Sequence, residues 1–144
     1  MKTYKEFVAE AFSKIHPWKW ENKNGRNQVA TFYASDDADV LVEFDQNKRD
    51  EWIISFYRKD EVNLTKTGDQ FSIFATVMDI IKDFIKREKP FEMKIFAAKK
   101  DRSKHTGRSS LYRRMIKTFV PKDYTYFEQD VGDGIEFWLT AKDW

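Results

Sequence analysis

Residues 71–88, FSIFATVMDIIKDFIKRE, constrain this chain more than any other stretch. Phe71, Ile73, Phe74, Val77, Met78, Ile80, Ile81, Phe84 and Ile85 spread over much more than one stripe of a helix at about 100° per residue. A helix this apolar is expected to be buried on more than one face. Asp79, Lys82, Asp83, Lys86 and Arg87 leave it a narrow wet strip. Gly68 and Asp69 provide a loop and an N-cap in front of it, and Pro90 closes it. Its charges exclude a membrane span.

The rest of the chain is ordered around this helix. Thr3 and Glu6 make a capping box, and Tyr4, Phe7, Val8, Ala11, Phe12 and Ile15 repeat at helical spacing, so a first helix is expected at 4–15. His16-Pro17-Trp18-Lys19-Trp20 reads as an aromatic cap over the edge of the core, with an exposed contact site as the other reading. A polar turn at 21–28 precedes three strands, expected at 29–34, 39–45 and 51–58. The short turns between them imply an antiparallel meander. After the central helix, a fourth strand at 91–98 permits parallel pairing through a crossover. A basic loop, 99–108, leads to a short helix at 110–119. Strands at 124–129 and 135–141 form a hairpin around an Asp-Gly turn. The expected fold is a single α+β domain with a mixed, mostly antiparallel sheet and a buried central helix, in the order αβββαβαββ.

Composition removes several function classes. The chain has 144 residues, enough for one domain with a real core. Twenty-six basic and 24 acidic residues leave a net charge of +2, which argues against a protein that coats nucleic acid. There is no cysteine, hence no disulfide, thiolate metal site or cysteine nucleophile. His16 and His105 lack metal-ligand spacing, so no metal is expected. The N-terminal MKTYKEF has no apolar run of the signal-peptide kind, and a cytoplasmic location is expected.

In this order the chain resembles the GNAT N-acyltransferases, over roughly residues 29–141, and is similar to small bacteriophage proteins of that shape. The family has an antiparallel meander, a central helix, a parallel strand, another helix and a final hairpin. One local match lies at Ser110-Leu111-Tyr112, where the family carries a leucine-tyrosine pair. The resemblance implies Tyr112 as the general acid that protonates the coenzyme A thiolate. It also implies a pyrophosphate-binding loop of the form Gln/Arg-x-x-Gly-x-Gly/Ala at the start of the central helix. Its overlay here is Gln70-Phe71-Ser72-Ile73-Phe74-Ala75, which makes Gln70, Ser72 and Ala75 the candidate cofactor contacts. Backbone N–H groups at a helix N-terminus suit a phosphate. Ile73 stands where the family has glycine, and a β-branched side chain there is expected to crowd the phosphate, so the loop reads as degenerate.

Other candidate sites come from the residues themselves. Tyr112 lies on the apolar side of its helix, where the simpler reading is a core tyrosine. Glu51 is the candidate general base by position, with Glu43 behind it; the simpler reading of both is a solvated strand residue. Lys99, Lys100, Arg102, Lys104 and Arg108, joined by Arg113 and Arg114 on the next helix, form a basic cluster for an anion or an acidic partner. Arg113 and Arg114 are expected on the exposed side of that helix. Trp18, Trp20 and Trp144 could form an aromatic patch. With Ile73 in the loop and no clear base, the expected function is a non-catalytic GNAT-like module that binds a macromolecule, another protein first, without cofactor. The alternative is an acyl-CoA-dependent N-acyltransferase using acetyl-CoA, with Tyr112 as acid and Glu51 as base. A third option is nucleic-acid binding through the basic loop.

Overall fold

The computed structural model describes residues 15–33, 39–58, 70–98, 113, 116–132 and 134–142, with the side chains of 57, 58, 70, 71, 97, 98 and 134 left aside. Seven strands form one sheet: β1 (Trp18–Asn22), β2 (Asn27–Tyr33), β3 (Asp39–Lys48), β4 (Glu51–Arg58), β5 (Glu92–Ala98), β6 (Tyr124–Asp130) and β7 (Gly134–Ala141). Their spatial order is β1-β2-β3-β4-β5-β7-β6. All neighbours pair antiparallel except β4 and β5, which are parallel. One long helix, α1 (Gln70–Glu88), connects that parallel pair. Residues 116–119 are also helical. The first helix, expected at 4–15, lies outside the described residues except for Ile15, which is not helical.

The alternation in the meander strands explains the core. Val40, Val42 and Phe44 of β3 are fully buried on one face, and Trp52 and Ile54 of β4 lie beside them. Strand side chains alternate between faces, so one pleat supplies a continuous apolar floor. The helix settles on it. Phe84 stacks on Phe44 at 4.3 Å between ring centroids and meets Trp52 edge-on at 4.8 Å. One turn-set earlier, Phe74 meets Phe56 at 5.7 Å. Ile73, Phe74, Ala75, Thr76, Val77 and Ile80 are all completely buried, as a helix apolar on several sides requires. Met93, Ile95, Ile135, Phe137 and Leu139 extend the core across β5 and β7, and Ile116 joins it.

The helix ends as its sequence suggests. Lys86 and Arg87 occupy the last turn, where cations suit the dipole. Lys89 adopts φ 47° just past the end, its N–H bonding the Ile85 carbonyl at 2.9 Å, and Pro90 prevents continuation.

The meander has one strand more than expected. Residues 18–22, taken from sequence as an aromatic cap before a turn, form the edge strand β1, paired with β2. Its tryptophans still cap the core, by means of a specific bond set. The Trp18 indole donates to Asp79 and the Trp20 indole to Asp83, each at 2.9 Å. Arg87 lies over the Trp20 ring at 4.7 Å and donates to the Lys23 carbonyl. Two strand residues advance about 6.7 Å, and four helix residues about 6 Å. The match lets tryptophans two apart reach aspartates four apart. β1 therefore lies along the wet strip of α1, where Asp79 is half-buried while Lys82, Asp83, Lys86 and Arg87 stay exposed, and Trp18 and Trp20 are half-buried rather than an exposed patch.

Candidate functional site: a fork in the sheet

The parallel β4–β5 ladder is short. It pairs Glu51 with Glu92, Trp52 with Met93, Ile53 with Lys94 and Ile54 with Ile95, and stops. Both strands continue. β4 stays on β3 up to the Arg58–Val40 pair, and β5 stays on β7 up to the Ala98–Gly134 pair. The sheet thus forks into β1–β4 and β5–β7–β6, and residues 55–58 and 96–98 face the fork without pairing one another. No ladder bridges the gap between them, and main-chain N–H and C=O groups need partners when shielded from water. The helix enters at the same end: β4 leads out at 58 and α1 begins at 70, so the α1 N-terminus lies on the fork side of the sheet.

The first turn of α1 is arranged around backbone, not side chains. Ser72 and Ala75 are 7% and 0% exposed, so their side chains face the core and only main chain remains for a ligand. The N–H groups of the first four helical residues have no intrahelical acceptor, whereas those of residues 74 and 75 are taken within the helix. Ile73 is 0% exposed. Its side chain packs with the buried core. Gln70 begins the helix. The preceding loop, 59–69, lies outside the described residues.

The two candidate bases are placed differently. Glu51 is the first residue of β4, beside Glu92 at the closed end of the parallel ladder, and accepts from the Asn47 side chain at 3.2 Å. Glu43 pairs with Ser55, the first β4 residue beyond the ladder, on the face away from α1. The weaker candidate from sequence is the one next to the fork.

Of the basic cluster, Lys99, Lys100, Arg102, Lys104, Arg108 and Arg114 lie outside the described residues, as does Tyr112. Arg113 is described and is not on an open face. Its Nε donates to a Glu128 carboxylate oxygen at 2.7 Å, with its side chain about one-third exposed (34%). The Tyr126 hydroxyl donates to the same oxygen at 2.9 Å. Burial first, then the bond to Glu128 and its charge, pushes the Tyr126 hydroxyl well above its ordinary range, with Arg113 pulling the other way. Tyr124 is raised as well, by burial and then by Asp123, and its hydroxyl donates to the buried Pro90 carbonyl. A separate groove of about 550 Å³ runs along the outer side of α1 between Trp18 and Pro121. Its acids hold the two indoles, and Lys82 lies over Phe119 at 4.2 Å. No group of three or more His, Asp or Glu suited to a metal occurs among the described residues.

The meander, α1, parallel strand and final hairpin follow the order that the GNAT resemblance implies, and the fold is α+β. A crystal structure of a Bacillus subtilis acetyltransferase in complex with CoA is similar to this chain, with a TM-score of 0.48 and 11% identity, over 87% of this chain and 98% of that one. No family model matches the chain. No curated protein matches it either.

Proposed function

We propose that the chain is an acyl-CoA-dependent N-acyltransferase whose cofactor lies in the fork. The observation that carries this is the parallel ladder that ends at Ile54 and Ile95 while both strands run on. A pantetheine arm carries two amides, and each can bond to the strand edges at 55–58 and 96–98. The pyrophosphate then reaches the α1 N-terminus, where free N–H groups and the helix dipole favour an anion. The burial of Ile73 is consistent with this placement, because its side chain packs with the core.

In the reaction an amine nitrogen attacks the thioester carbonyl. The C–N bond forms, the C–S bond breaks, the ammonium proton goes to a base, and the thiolate takes a proton. Glu43, beside Ser55, is the better-placed base, acting directly or through water; Glu51 is at the closed end. Tyr112 keeps the role of acid by resemblance. The expected non-catalytic module would need no ligand in the fork.

Calorimetric titration with acetyl-CoA separates the two. Micromolar binding, with amide-exchange protection appearing at 55–58 and 96–98, is the expected result. No binding at millimolar cofactor would leave the module as the better account, with Lys99 to Arg114 and a protein partner as the next test.

A further inference from the structure

The sheet has two edges, and they are built differently. β1 is five residues long and bulges between Trp20 and Asn22. Its outward side chains, Lys19 and Glu21, are exposed and ion-paired at 3.5 Å. A short strand, a bulge and an edge lysine are the usual means of preventing another strand from adding on. β6 has none of these. It pairs with β7 through all seven residues without a bulge, and its sequence YTYFEQD contains no lysine or proline. At its centre stands Phe127, 60% exposed. Phe127 lies opposite Trp138 on the face away from α1, in one row with Lys94 and Ile53. Among the described strands only β7 pairs with β6.

We propose that β6 pairs antiparallel with β6 of a second copy of this chain, about a two-fold axis at Phe127. The occupant follows from self-complementarity. In this register Phe127 faces the partner subunit's Phe127, and Tyr126 faces the partner subunit's Glu128. Thr125 faces the partner subunit's Gln129, and Tyr124 faces the partner subunit's Asp130. Neither carboxylate of the strand meets another. Moving the axis to Glu128 would set Glu128 against the partner subunit's Glu128, and like charges directly opposite oppose pairing. Moving it toward Thr125 shortens the ladder and separates the two phenylalanines. A parallel arrangement would set each acid beside its own copy and leave an open, non-closing contact. The antiparallel register at Phe127 instead joins two seven-stranded sheets into one and covers the exposed ring with its own counterpart. This surface is independent of the fork, so its test stands whether or not CoA binds.

Light scattering should give twice the 17.3 kDa chain mass, and Phe127→Lys should return it to one chain mass while staying folded by circular dichroism, with an unfolding midpoint that no longer depends on protein concentration. Because the chain has no cysteine, the register can also be trapped. A Thr125→Cys, Gln129→Cys double variant keeps Phe127 and sets each new thiol against one on the partner. Within one chain the two sites are about 13 Å apart along the strand, too far for a disulfide, which needs about 4.4–6.8 Å between Cα atoms. Mild oxidation should link the double variant into a covalent dimer and leave both single variants unlinked. A single-chain mass for the unaltered protein, or single variants that link as readily as the double, would overturn the proposal.

Discussion

The two halves of the sheet meet at the same fork but are held by different physics. β1–β4 is held by side-chain area. Phe84 sits between Phe44 and Trp52, Phe74 meets Phe56, and the tryptophans of β1 hook onto α1. In β5–β7–β6 the buried aliphatic row is edged by hydroxyls: Tyr124 bonds to the Pro90 carbonyl, and Tyr126 shares Glu128 with Arg113. Apolar area is indifferent to pH, whereas a buried hydroxyl is not. The first half should therefore fail by cavity and the second by deprotonation.

The largest effect should come from the first half. Phe84→Ala removes a fully buried ring from the junction of β3, β4 and α1 and should cost about 3–5 kcal/mol in denaturant unfolding. A loss under 1 kcal/mol would mean that the helix is not anchored there. Next comes the second half. Tyr124→Phe leaves the buried Pro90 carbonyl without its donor and should cost about 1–3 kcal/mol. Both tyrosines have folded pKa values raised above the unfolded value of about 10. Their contribution is then full below that pH and is lost as pH rises through the folded values, because the unfolded chain gives up its protons first. Stability should fall above about pH 10, and less steeply in Tyr126→Phe; an identical alkaline slope in both proteins would break the contrast. The smallest effect should be Trp18→Phe, which keeps most of the ring but loses the donor to Asp79, at about 0.5–1.5 kcal/mol.

What was legible in the sequence was what side-chain periodicity records. The central helix, the meander from β2 to β4, β5 and the hairpin all fall within about three residues of their expected positions, because each has a clear period or turn signal. β1 was missed although Trp18-Lys19-Trp20-Glu21 alternates: five residues between Pro17 and a polar turn are too short to distinguish a strand from a cap. The Arg113–Glu128 pair spans 15 residues and depends on a helix lying over β6, which no local pattern encodes. Ile73 read from sequence both as a core residue and as an obstruction in place of glycine, and the structure shows the first of these, its burial. The fork was invisible for a deeper reason. It is a property of main-chain register, and nothing in the side chains of 55–58 or 96–98 marks where pairing stops.

The short parallel ladder also determines how the molecule could be taken apart. A break in the main chain between 58 and 70 would leave every antiparallel ladder inside a single fragment. Among the described residues, four parallel pairs, the Glu92 N–H bond to the Asp50 carbonyl and the packing of α1 would cross between the fragments. Two separately made polypeptides should then reassemble, with the helix acting as the plug that one supplies to the other. Their dissociation constant would measure what α1 and the parallel ladder together contribute to the whole.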